Sequence, residues 1–140
     1  MFQKNFRLTI LVLISIFINL PAYSAHLHKE AEYQALWCKE NNGITEYVLD
    51  DKARVDCLTD EYAIEFDFAN KWAESIGQSL YYGLKTNKKA GIVLIIEDRN
   101  KVDRYIKRLD TVTNQYNIKY WLMYEDEYFN KENSNIPKTQ

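Results

Sequence analysis

The spacing of hydrophobic and polar positions predicts where helices and strands lie along this chain. Tyr33, Leu36 and Trp37 recur at helical spacing and predict a helix over 28–42, which Gly43 would end. Polar turn residues then separate three short runs that are typical of strands: 44–49, 53–58 and 62–68. Because the connections between them are tight, these strands are predicted to form an antiparallel meander.

The second half of the chain alternates helical and strand patterns. Asn70 would cap a helix over 71–85. The unbroken apolar run 91–96 is typical of a strand that is buried on both faces. A helix over 100–116 and a strand over 118–124 complete the order αβββαβαβ. This order predicts an α/β (α+β) fold with a mixed central sheet flanked by helices.

Residues 1–24 have the pattern of a secretory signal peptide. Lys4 and Arg7 precede an apolar run over 8–20, and small residues suit cleavage before Ala25. The alternative is an uncleaved membrane anchor, but this run of 13 residues is shorter than the ~20 that a membrane-spanning helix needs. We therefore expect a periplasmic or secreted protein with no stable membrane association after cleavage.

The rest of the chain is predicted to hold one domain, residues 25–125, followed by a polar C-terminal tail over 126–140. The chain carries 18 basic and 20 acidic side chains, a net charge of −2, and loss of the signal peptide with its two basic residues would make it −4. Nucleic-acid binders are usually basic, so a nucleic-acid partner would need a local basic face or a metal ion. The sequence contains neither a glycine-rich phosphate loop nor a Ser-His-Asp arrangement.

The two cysteines fall on neighbouring predicted elements, Cys38 on the first helix and Cys57 on the second strand. Export would permit a disulfide bond between them. Two separately buried thiols are the alternative, and the sequence favours neither. A zinc site is not expected, because two cysteines 19 residues apart lack a C-x-x-C partner pair.

Carboxylates gather on two neighbouring predicted strands. Side chains alternate along a strand, so Glu65 and Asp67 share one face of the third strand, and Asp56 lies on the second. Carboxylates on one face of a small sheet repel each other, and a hard divalent cation relieves that repulsion. This pattern favours a metal-dependent phosphodiesterase.

The helix predicted after these strands carries a polar stripe. Its members, at spacings of three or four residues, are Lys71, Glu74, Gln78 and Tyr82. The stripe leaves the end of the carboxylate strand directly and would lie over its acids. The alternative is an ordinary solvated helix face.

Together these residues resemble the PD-(D/E)XK nuclease superfamily, whose restriction-endonuclease-like core is a helix, a three-stranded meander, a helix and a further strand. The resemblance covers residues 30–96. It implies that Asp56 and Glu65 are the two acids of the superfamily motif. The segment Gln78-Ser-Leu-Tyr-Tyr82 is similar to the Q-x-x-x-Y motif of the exonuclease and helicase-associated branch.

The chain departs from the superfamily motif at one position. The family's lysine belongs at position 67, where this chain has Asp67, and Lys71 resembles a displaced replacement. The superfamily often adds a glutamate from the first helix, for which we expect Glu32, with Glu30 and Glu46 as alternatives.

The resemblance implies an exported enzyme that hydrolyses phosphodiester bonds in DNA with Mg²⁺ or Mn²⁺, with RNA as a further candidate substrate. The implied catalytic residues are Asp56, Glu65, Lys71, Gln78 and Tyr82. The implied metal ligands are Asp56, Glu65, Asp67 and Glu32. Apart from the resemblance, a basic cluster beyond the helix with the polar stripe could contact phosphates, with an ordinary charged turn as the alternative: Lys85, Lys88 and Lys89.

Two alternatives remain open at this point. One is a catalytically inactive nuclease-fold protein that binds metal, nucleic acid or a protein partner. The other treats the acids as solvated side chains of an α/β domain with an interaction role. The sequence does not distinguish endonuclease from exonuclease action or indicate an oligomeric state.

Overall fold

The computed structural model describes residues 26–134, which form four helices and five strands. The helices are α1 (Glu30–Glu40), α2 (Trp72–Thr86), α3 (Asp103–Tyr116) and α4 (Glu125–Ser134). The strands are β1 (Ile44–Val48), β2 (Arg54–Leu58), β3 (Tyr62–Phe68), β4 (Lys89–Ile96) and β5 (Lys119–Tyr124). The predicted order αβββαβαβ is confirmed, and α4 follows it.

The predicted signal peptide, residues 1–24, lies outside the described residues, as do residues 135–140 of the predicted tail. Over residues 26–134 the structure has no helix with the length and apolar character needed to cross a membrane.

The five strands form one mixed sheet in the order β1-β2-β3-β4-β5. The first three strands are antiparallel neighbours, whereas β3, β4 and β5 run parallel. Helices α2 and α3 pack on one face, against Ile92 and Leu94. Helices α1 and α4 pack on the other face, against Phe66 and Val93. The predicted mixed sheet flanked by helices is therefore confirmed, as is the burial of β4 on both faces.

Strand β3 shows the alternation that the sequence predicts. Phe66 and Phe68 join the aromatic core beneath α1 and α4. Glu65 and Asp67 lie on the opposite face, level with the β4 residues that α2 and α3 cover. Because helices cover both faces, the two acids are buried, with 5% and 2% of their surfaces exposed.

The polar segment after β5 forms a helix rather than only a tail. Tyr128 and Phe129 pack against the core beneath α1, which gives this segment a buried side. The first turn of α4 holds three acidic residues, and negative charge is favourable at a helix N-terminus. Helix α4 is therefore part of the folded domain.

The start of α2 differs from the prediction. A short 3₁₀ turn, Ala69–Lys71, separates β3 from the helix, and Lys71 occupies the N-cap position without a side-chain cap hydrogen bond. The predicted capping role of Asn70 is therefore wrong, because the turn moves the helix start beyond the reach of its side chain.

Cys38 and Cys57 form a disulfide bond that ties α1 to β2, with their Cα atoms 5.8 Å apart. The structure thus selects the bonded state from the two alternatives. Gly43 packs directly against this bond, since a Cβ atom there would lie 2.6 Å from the Cys38 sulfur and closer still to the Cys57 sulfur. Position 43 must therefore be glycine for space. The predicted role of Gly43 in ending the helix is wrong, because α1 ends at Glu40 and the left-handed residue is Asn42.

Candidate active site

The site begins where β2 and β3 separate. The two strands pair near the turn between them, at Cys57 with Ile64 and Leu58 with Ala63. Beyond this point the Phe66 amide of β3 bonds to a side chain instead of the β2 backbone. It donates to Oδ2 of Asp56 at 2.8 Å. The separation of the strands therefore fixes one carboxylate in the gap between them.

Glu65 faces Asp56 across this gap. Gln78 Nε2 donates a hydrogen bond to Glu65 Oε1 at 2.5 Å. The other oxygen, Oε2, is buried, and no protein donor among residues 26–134 reaches it. The carboxyl groups of Glu65 and Asp56 are within hydrogen-bonding reach of each other, and a proton held by either one joins them.

Burial and mutual repulsion oppose the ionisation of both carboxyl groups at once. Burial, followed by the charge of Asp56, raises the pKa of Glu65 far above its ordinary value. Burial also raises the pKa of Asp56, although the hydrogen bond from the Phe66 amide opposes this shift. Without a cation, the pair therefore tends to retain a proton near neutral pH.

Lys71 points toward the carboxylate face. Its Nζ lies 3.5 Å from Oδ1 of Asp67, and the Phe68 amide donates to the same oxygen at 2.9 Å. Burial raises the pKa of Asp67 to about 6, although the positive charge of Lys71 lowers it in part. The charge of Asp67 in turn raises the pKa of Lys71, which stays protonated at neutral pH.

The polar stripe of α2 reaches the acid pair. Besides the contact of Gln78, the ring of Tyr82 is buried, with 7% of its surface exposed. Burial, then the charges of Glu65 and Asp56, raise the pKa of Tyr82 to about 12. The structure thus brings Gln78 and Tyr82 to the acid pair of Asp56 and Glu65, whereas Lys71 contacts Asp67 instead.

Glu32 is not among the residues that the structure brings to the acid pair. Its carboxylate accepts a hydrogen bond from the Lys29 amide at 2.7 Å, within the capping box that starts α1. Its Oε1 also lies 3.9 Å from Nδ1 of His28. Glu32 therefore serves the helix terminus rather than the site.

Glu30 is the acid of α1 that lies at the site. Burial, then the charge of Asp56, raises its pKa, and Lys71 opposes the shift. Gln34 Nε2 donates to Glu30 Oε1 at 3.2 Å and holds the carboxylate in place. Residues two apart on a helix point to different sides, which explains why Glu30 and Glu32 have different roles.

The predicted set of four metal ligands is not assembled. Across residues 26–134, no three His, Cys, Asp or Glu side chains are arranged to hold a metal ion. Asp56 and Glu65 remain as a pair, whereas Asp67 is engaged by Lys71. Mg²⁺ commonly binds proteins through one or two carboxylates, with waters and substrate phosphates completing its shell. Asp56 and Glu65 supply two carboxylates, the ligand type that such an ion takes.

Two further residues adjoin the site: Gln34, which the sequence did not indicate, and Glu46, which it indicated only as an alternative to Glu32. Gln34 supports Glu30 from one helical turn further on, a spacing that the sequence shows. Glu46 stands opposite Asp56 in the β1–β2 hairpin, where its charge raises the pKa of Asp56. Its backbone has a positive φ of 54° at a position where the pairing of β1 with β2 skips a residue, and no sequence pattern marks this feature.

The predicted basic cluster lies at the opposite end of the sheet. Lys85 and Lys89 form ion pairs with Asp50 and Glu61, each at 2.6 Å. Lys89 begins β4, whereas Lys71 follows the end of the parallel strand β3. The cluster therefore lies in charged turns at the end of the sheet opposite Lys71.

Comparison with known proteins gives no relative. Neither a family model, a curated protein nor a solved structure matches this chain.

Proposed function

We propose that this chain is an exported, metal-dependent nuclease that hydrolyses phosphodiester bonds in DNA. The single observation that carries the proposal is the buried pair of Asp56 and Glu65 on adjacent strands, with one oxygen that lacks a donor. Two adjacent buried acids lower the stability of the folded protein, and acids with such strongly shifted pKa values cluster at functional sites.

The element order supports a restriction-endonuclease-like fold for this site. Helix α1, the β1–β3 meander, α2 and β4 follow the order that the superfamily core requires. The site lies on the second and third strands of the meander, where the superfamily motif places its acids. The disulfide bond supports export, because such bonds persist in oxidising compartments such as the periplasm.

Asp56 and Glu65 would hold Mg²⁺ or Mn²⁺, which supplies an activated water and neutralises charge on the phosphate. Gln78 keeps the Glu65 carboxylate in one orientation through its hydrogen bond. Lys71 retains its proton because Asp67 raises its pKa, so it would not act as a base. Its ammonium group would instead orient the attacking water and stabilise negative charge on the phosphate.

One observation favours a second candidate function. Asp67 occupies the position at which the superfamily carries lysine, and Lys71 is paired with Asp67 rather than with the acid pair. A protein with this arrangement would bind metal, nucleic acid or a protein partner without cleaving. The same site would then serve recognition only.

Calorimetric titration with Mg²⁺ and Mn²⁺, followed by a DNA cleavage assay, separates these proposals. A nuclease binds the ion and cleaves DNA, and Asp56→Ala removes both properties. Ion binding without cleavage of DNA or RNA would support the second candidate. Absence of ion binding would overturn the metal-dependent proposal.

A further inference from the structure

A cleft of about 700 Å³ opens beside Lys71, at the carboxyl ends of the parallel strands β3 and β4. Ligands of open α/β sheets commonly bind in the crevice outside the carboxyl ends of parallel strands. The volume is within the range of about 300–1,000 Å³ that is usual for ligand pockets. The lining combines apolar and aromatic groups with two lysines and two carboxylates: Phe68, Tyr105, Lys71, Lys101, Glu97 and Asp98.

His26 forms an aromatic wall of this cleft. Its ring stacks on Phe68 with centroids 3.4 Å apart and planes within 9° of parallel. Nδ1 of His26 lies 2.7 Å from Oε2 of Glu97, and the Leu27 amide donates to Oε1 of the same carboxylate at 2.7 Å. The ring is therefore fixed with one face against Phe68, and its remaining surface borders the cleft.

Two lysines stand at the rim. Lys71 Nζ lies 3.5 Å from Asp67, and Lys101 Nζ lies 3.0 Å from Asp98. The two lysine side chains are 47% and 79% exposed, so each ammonium group keeps donors available for a further anion. The rim thus presents two exposed ammonium groups, each beside a carboxylate, next to an aromatic and apolar interior that Glu97 also borders.

We propose that this cleft binds one unpaired nucleotide of single-stranded nucleic acid, with the base near His26 and Tyr105 and its phosphates near the two lysines. The inference rests on the proposed nuclease function for the identity of its ligand. Bases in a duplex are stacked on both faces and cannot enter such a cleft, whereas an unpaired base can stack on an aromatic side chain. The preferred substrate is therefore a single strand or an unpaired strand end.

The test measures binding rather than cleavage. Fluorescence anisotropy compares a labelled short single-stranded oligodeoxynucleotide with the blunt duplex of the same sequence. Ca²⁺ replaces Mg²⁺, because it takes the same oxygen ligands, and a gel confirms that the oligonucleotide stays intact. The variants are His26→Ala, Tyr105→Ala and His26→Phe. Tyr116→Ala is the matched control, since Tyr116 is exposed at the other end of α3.

We expect the wild type to bind the single strand more tightly than the duplex. His26→Ala and Tyr105→Ala should each weaken single-strand binding roughly tenfold, as expected for loss of one stacked base. His26→Phe and Tyr116→Ala should bind as the wild type does. Equal affinity for both DNA forms, or unchanged binding by both alanine variants, would overturn the inference. Single-strand binding without cleavage in Mg²⁺ would overturn the nuclease proposal alone.

Discussion

Gln78 Nε2 lies 2.5 Å from Glu65 Oε1, so α2 fixes one oxygen of a buried acid and leaves the other facing Asp56. The metal-free site therefore combines two carboxyl groups that disfavour ionisation with a buried oxygen that lacks a donor. Such an arrangement lowers the stability of the free protein and suits a bound cation.

Glu65→Gln should stabilise the metal-free protein and abolish cleavage. The glutamine amide can donate to Asp56 while its oxygen still accepts from Gln78, which removes one charge from the pair. We expect a gain on the order of 1 kcal/mol in the free energy of unfolding, measured by thermal denaturation in EDTA. Asp60→Asn, in the exposed turn after β2, is the control and should change little. A lower melting temperature for Glu65→Gln would contradict this account.

The stability of the metal-free protein should fall as pH rises from about 4.5 to 7.5. Burial raises the pKa of Asp67 to about 6, against about 3.9 in an unfolded chain. The folded state therefore binds the proton more tightly, and its stabilising effect is full below pH ~4 and lost as pH rises through ~6. The raised pKa values of Asp56 and Glu65 likewise make stability fall as pH rises.

Denaturant titration in EDTA across that interval measures the effect, expected to be on the order of 2 kcal/mol. Mg²⁺ should restore the lost stability at the upper end, because it binds the ionised pair in the folded state only. Stability that increases steadily with pH would show that these acids are not buried as described.

Much of the fold follows from local patterns, whereas parts of the site depend on tertiary contacts. Strict alternation in β3 is sufficient to place Glu65 and Asp67 on one face. Which glutamate of α1 lies near these acids depends on the rotation of the helix, which the burial of Tyr33 and Trp37 sets. That packing involves distant strands, so the sequence alone favoured Glu32 over Glu30.

Helix α4 and the start of α2 also depend on contacts between residues that are distant in the sequence. The segment after β5 is polar except for a few aromatic residues, and these gain a buried side only from a core built elsewhere in the chain. The 3₁₀ turn Ala69–Lys71 depends on how Phe68 enters the core at the end of β3. Neither depends on hydrophobic periodicity, so periodicity could not predict them.

Lys71→Ala should lower the rate of DNA cleavage at least about 100-fold, because it removes the protonated group that would stabilise charge on the phosphate. Lys71→Arg keeps the charge and should retain more activity than the alanine variant. Lys107→Ala, on the exposed side of α3, is the matched control. Single-turnover cleavage rates measure the effect, and full activity of Lys71→Ala would exclude Lys71 from the reaction.

Replacing Cys38 and Cys57 together by serine should lower the free energy of unfolding by about 3 kcal/mol. The bond closes a loop across a separation of 19 residues, and restricting the unfolded chain over such a loop gives roughly this stabilisation. Urea denaturation with and without a reducing agent measures it. The wild type in reducing agent should match the double variant, and equal stability in all conditions would mean that the bond does not form.

Cleavage of supercoiled and linear DNA by the wild type and Asp56→Ala tests the central claim most directly. The account predicts cleavage by the wild type in Mg²⁺ or Mn²⁺, none in EDTA, and a rate at least about 100-fold lower for Asp56→Ala. Asp60→Ala, an exposed aspartate outside the site, should cleave as the wild type does. Equal rates for the wild type and Asp56→Ala would contradict the assignment of this acid pair as the catalytic metal site.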